Sequence, residues 1–108
     1  LKKLVLNTTK SLYKLLEIEI DGKAYCCRKL TKDTMDKILK LSQTAKDGDV
    51  NAPYEQAHFA FSIPLKILYE LHIKEVGDIN NKIIEAIVRP TKAEPEEEKN
   101  VKGPGDKS

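Results

Sequence analysis

From Leu12 to Ile20 apolar and polar positions alternate, with Leu12, Leu16, Ile18 and Ile20 on one face and Tyr13, Leu15, Glu17 and Glu19 on the other. That period of two predicts a half-buried strand. Asp21-Gly22 comes next, the dipeptide selected by a two-residue type I′ turn, whose central positions both need positive φ. The chain then returns through Ala24 to Arg28, so Ile20 is expected opposite Lys23, Ile18 opposite Tyr25 and Leu16 opposite Cys27. A two-stranded ribbon is marginal by itself in water, so its Leu16/Ile18/Ile20 face requires a cover.

The period then changes from two to 3.6. Thr31 stands where an N-cap belongs, with Asp33 one turn in to oppose the helix dipole. Met35, Ile38, Leu39, Leu41, Ser42 and Ala45 form the expected apolar stripe, with Lys37 and Lys40 outside it. Gly48 and Pro53 end this helix, and Asn51 is expected to cap the next. The stretch from Tyr54 to Ile73 is apolar nearly all round, which marks a helix central to the fold or buried in an oligomer. Pro64 interrupts it, since proline deletes a helical hydrogen bond, and two pieces are predicted, over 53–61 and 63–75. Gly77-Asp78 is the next expected boundary, followed by a short helix capped by Asp78 or Asn80 and carrying Ile79, Ile83, Ile84, Ile87 and Val88. The fold class is therefore α+β: a β-hairpin, with residues 1–11 an optional third strand, packed with three or four helices. One domain over 1–90 precedes a charged tail, 91–108, whose only large aliphatic is Val101 and which is expected to be disordered.

Charge refines this picture. The net of +2 conceals eleven Lys or Arg against five acids in residues 1–46, and four against seven in 47–90. The basic half suggests one function: a small nucleic-acid-binding regulator using Lys2, Lys3, Lys10, Lys14, Lys23, Arg28, Lys29 and Lys32, with Tyr13 and Tyr25 between them. Glu17, Glu19 and Asp21 oppose it, as does the presence of only one arginine in this half, because base readout relies on bidentate guanidinium contacts. The longest apolar stretch, Ala57 to Leu71, contains His58, Ser62, Pro64, Lys66 and Glu70, well short of the roughly 20 apolar residues that cross a bilayer. A soluble cytoplasmic protein is expected. Leu1 in place of Met implies that the natural start lies upstream.

The residues that carry chemistry elsewhere are sparse. Adjacent strand residues point to opposite faces, so Cys26 and Cys27 are expected as free thiols, one inside and one out. His58 and His72 lie in no HExxH pattern, and the glycines form no phosphate-binding loop. No catalytic residue, cofactor or metal is assigned. The apolar excess of residues 54–73 remains, and it points to a partner-binding or self-association surface.

The order EIEIDGKAYCCRKLT, KDTMDKILKLSQ, YEQAHFAFSIPLKILYELHI, NNKIIEAIV resembles the small tail assembly chaperones of long-tailed bacteriophages and prophages, over residues 15–89. The resemblance implies a non-enzymatic protein of the infected bacterial cytoplasm that is absent from the mature virion. It would coat the tape measure protein and recruit tail tube subunits. It also implies an oligomer, and an end such as 91–108 where longer frameshifted forms diverge. The expected partner-binding residues are Tyr54, Phe59, Phe61 and Leu65, with the hairpin edge from Tyr13 through Glu17 to Glu19 as a second contact by strand pairing.

If the basic half is only a solvated face, DNA or RNA affinity measured by fluorescence anisotropy will be weak and will vanish between about 50 and 200 mM salt. Submicromolar, sequence-selective binding that survives about 200 mM salt establishes the regulator instead.

Overall fold

A computed structural model describes residues 3–92. One compact unit runs from Leu15 to Pro90, and residues on either side of it group separately. Within the unit the order is β1 (Glu17–Ile20), β2 (Lys23–Cys26), α1 (Lys32–Lys46), α2 (Ala52–Phe61), α3 (Leu65–Tyr69) and α4 (Ile73–Val88).

The hairpin forms in the expected register: Ile18 pairs with Tyr25 and Ile20 with Lys23, and the Cys27 amide extends the ladder by donating to the Leu16 carbonyl at 2.8 Å. Asp21 and Gly22 take φ of 53° and 82°, the two left-handed positions of the I′ turn. Leu16, Ile18 and Ile20 face the core with the buried Tyr25 and Cys27, while Glu17, Glu19 and Cys26 stay exposed. Among the described residues the sheet has two strands. The alternation that reached back to Leu12 overstates β1, which begins at Glu17. In the other unit, Tyr13 makes an isolated antiparallel bridge with Lys92, and the Lys14 amide donates to the Thr91 carbonyl. That pairing explains why alternation before Glu17 did not lengthen the hairpin. The expectation of a disordered tail falls, beyond Lys92, outside the described residues.

Helix α1 starts at the Thr31 cap, whose hydroxyl accepts from the Thr34 amide. Ile38 is fully buried, with Met35, Leu41, Ser42 and Ala45 half-buried beside it. Leu39 departs from the expected stripe and is 44 % exposed, because it lies about 100° around the helix from Ile38. At α2, Asn51 occupies the cap position without a side-chain cap bond. The Asp49 carboxylate instead accepts from the Asn51 amide and holds the turn.

Helix α2 is the centre, packing against α1, α3 and α4, which is why it is apolar on so many sides. It ends at Ser62, which has a left-handed φ of 58°. Pro64 then takes the cap position of α3. The expected helix over 63–75 is cut short, and α3 covers only Leu65–Tyr69. The next boundary falls at His72, not at Gly77-Asp78. The Lys74 amide donates to His72 Nδ1 and the His72 amide to the Glu75 carboxylate, a reciprocal capping box that starts α4 well before the expected Asp78 or Asn80 cap and carries it through Gly77. Asn80 is therefore no cap. Its side-chain amide donates to the Pro53 carbonyl at 2.9 Å and ties α4 to the first turn of α2. Val76, Ile79 and Ile83 are the buried face of α4, and Val88 falls outside it.

Cys27 is 4 % exposed, and burial chiefly, then the neighbouring Cys26, pushes its thiol from 9.0 up to about 11, against the opposing pull of Arg28. A thiol reagent at neutral pH will therefore label the exposed Cys26 and reach Cys27 only on unfolding, as mass spectrometry will show. Between pH 9.0 and about 11 the unfolded thiol ionises while the folded one holds its proton, so stability falls as pH rises through this window. Urea midpoints compared with those of Cys27→Ala will isolate that slope; identical slopes would contradict the burial argument.

Candidate partner-binding site

The hairpin leaves the sheet at Arg28, and this residue meets the end of α2. Its backbone amide donates to the Ala60 carbonyl at 2.8 Å, and its side-chain Nε donates to the Phe59 carbonyl at 2.6 Å. The Ser62 amide closes the last i→i−4 bond to the His58 carbonyl, so the Phe59 and Ala60 carbonyls are the two of the last four that take donors from outside the helical ladder. Such carbonyls have no intrahelical partner, and a cation at this end also opposes the helix dipole. His58 Nδ1 lies 2.7 Å from the Ile63 carbonyl. That oxygen can only accept, so Nδ1 carries the proton and Nε2 is left free of it in the neutral ring.

This end of α2 borders an open cleft of about 350 Å³ lined by Arg28, Lys37, Leu41, Glu55, His58, Phe59 and Ser62. A second depression shares Lys37, Leu41 and Glu55 and continues the cleft along α1 past Lys40 and Thr44 to Asp33 and Asp36. Phe59 is half-buried at its floor. The Arg28 guanidinium lies 4.6 Å and the Lys37 ammonium 4.8 Å from its ring centroid, both within cation–π range. Neither cation has an ion-pair partner among the described residues.

The expected binding residues separate. Phe59 alone lines the cleft. Phe61 is 2 % exposed in the core and offers no surface to a partner, which corrects its assignment. Leu65 is half-buried against the core. Tyr54 stacks edge-on against Tyr69 at 5.3 Å, and Tyr69 is 59 % exposed. Glu17 and Glu19 lie on the outer face of β1, but Tyr13 is not on the hairpin edge. Sequence reasoning missed Arg28, Lys37 and Leu41 as cleft residues because Arg28 comes from a loop, Lys37 from the polar side of α1 and Leu41 from the border of its apolar stripe. Periodicity gives no signal for such a convergence.

His58 and His72 share no face: one bonds the Ile63 carbonyl and the other caps α4. Among the described residues no three His, Cys, Asp or Glu side chains form a metal-ligating group, and no helix is long and apolar enough to cross a membrane. Comparison with protein-family models, with curated proteins and with solved structures gives no match in any of the three.

Truncating Arg28 removes the donor to Phe59 and the cation over its ring. Arg28→Ala should cost about 1–2 kcal/mol, since a charge-assisted hydrogen bond contributes about 1.5–3 and this one is partly solvated. Arg28→Lys should recover only part of it, because an ammonium lacks the planar fork. Urea midpoints give the comparison. A neutral Arg28→Ala change means that the helix end does not need this cap.

Proposed function

We propose that this protein is a non-enzymatic binding module for a helical partner, acting as a tail assembly chaperone that binds the tape measure protein and tail tube subunits in the cytoplasm of an infected bacterium. The observation that carries the reading is the continuous cleft between α1 and α2, with the half-buried Phe59 and Leu41 exposed to it and charged side chains along both walls. An amphipathic helix laid along such a groove seats its apolar stripe between polar rims. A long helical tape measure offers that stripe many times over, so one chaperone copy per segment is the expected stoichiometry.

Self-association has less to draw on than the sequence suggested. Phe61, Ile63 and Leu68, which contributed to the apolar excess, are buried within the single chain. Contacts between copies along one tape measure would therefore use outlying groups such as Ile73, at 66 % exposure, or the unpaired edge of β1. The nucleic-acid regulator is also weakened as a rival, because the Arg28 guanidinium already binds the Phe59 carbonyl and ring.

Coexpression with a tape measure fragment from the same genome is expected to keep that fragment in the soluble fraction. Phe59→Ser should return it to the level seen without the chaperone while circular dichroism still reports a folded domain. A folded wild-type protein that leaves the fragment insoluble and does not bind it rules the proposal out.

A further inference from the structure

The two cations beside Phe59 are more than the fold requires. Arg28 is tied to the α2 terminus, but Lys37 makes no hydrogen bond or ion pair among the described residues beyond its place over the ring. Both charges lie 4.6–4.8 Å from one ring centroid. They are therefore within about 10 Å of each other, a Debye length at ~0.1 M salt, and their repulsion persists in solution. Glu55 borders the same cleft without closing on Lys37. An anion entering here meets two unneutralised donors, a hydroxyl from Ser62 and an apolar platform from Phe59.

We propose that the cleft receives a glutamate from an amphipathic partner helix, with its methylenes laid on the Phe59 ring and its carboxylate between Arg28 and Lys37. This rests on the protein-binding reading of the same cleft and adds the chemistry by which the partner is chosen. Charge complementarity selects an acid, and the ring selects one carried on an apolar stem. A free small anion satisfies the first condition only. A nucleic-acid phosphate has the charge but no stem to cover the ring. The glutamate sits at the border of the partner's apolar stripe, so the remaining stripe runs over Leu41 toward the α1 end of the groove.

The test uses the full chain, isotopically labelled for NMR. It is titrated with amphipathic helical peptides that differ only at one position beside the apolar stripe: glutamate, glutamine or lysine. The glutamate peptide should bind about tenfold tighter than the glutamine peptide, with the lysine peptide weakest and with shifts centred on Phe59 and Lys37. Lys37 is a solvent-facing residue, so Lys37→Gln should fold normally and abolish the preference. Glu55→Gln removes the competing carboxylate and should widen the preference severalfold. Equal affinity for the glutamate and glutamine peptides, or a preference unchanged in Lys37→Gln, overturns the proposal. So does competition by sodium acetate or by a DNA duplex that displaces the glutamate peptide as effectively as an unlabelled copy of it. The coexpression experiment fails independently: an insoluble tape measure fragment with the peptide preference intact removes the phage partner and leaves the glutamate site. A soluble fragment with no peptide preference removes the glutamate site alone.

Discussion

The C-terminus of α2 is the constraint on which the rest depends. The last carbonyls of a central helix have no intrahelical partners and must find donors elsewhere. The chain solves this with groups from three directions. Arg28 brings a backbone amide and a guanidinium nitrogen from the hairpin exit, and the Ser62 amide closes the last i→i−4 bond to His58. His58 folds its ring onto the Ile63 carbonyl just beyond. These bonds fix the hairpin, which has no stability of its own, to the helix whose sides the other helices cover.

The same arrangement produces the cleft. Because Nε of Arg28 must reach the Phe59 carbonyl, the guanidinium lies over the Phe59 ring. The ring is thereby held at the surface between α1 and α2, where Lys37 meets it from the neighbouring helix. A stabilising cap and a candidate binding surface are thus one set of atoms. At Arg28 the candidate surface shares its atoms with the helix cap, whereas Lys37 joins it only through its ammonium over the Phe59 ring. That division is what allows the binding chemistry to be tested without unfolding the domain.

Burial on the other faces of α2 decides what cannot take part. Phe61, Ile63 and Leu68 are enclosed, and with them goes most of the hydrophobic excess that a composition count would assign to an interface. A helix surrounded by α1, α3, α4 and a hairpin consumes its apolar side chains internally, even in so short a chain. Within this unit the large hydrophobics that remain exposed are dispersed over Leu15, Leu39, Val50, Tyr69, Ile73 and Val88, while Phe59 and Leu41 share a concavity with charged walls.

What the sequence determined by itself was local. Asp21-Gly22 set the turn and hence the strand register, Thr31 set the start of α1, and Pro64 set the break after α2, because each acts through backbone geometry within a few residues. The His72/Glu75 box was equally local and was legible in principle; Gly77-Asp78 masked it, since a glycine followed by a capping residue carries the stronger boundary signal when no packing is known. The tertiary structure alone decided that Gly77 stays helical, that Asn80 holds Pro53, that Leu39 faces solvent and that Phe61 is core while Phe59 is not. Phe59 and Phe61 are two residues apart on a helix with few polar sides, and no periodic pattern distinguishes which of them the core encloses. Tertiary packing makes that choice, and the docking of Arg28 onto the end of α2, through hydrogen bonds between residues about thirty positions apart, places a cation over the Phe59 ring.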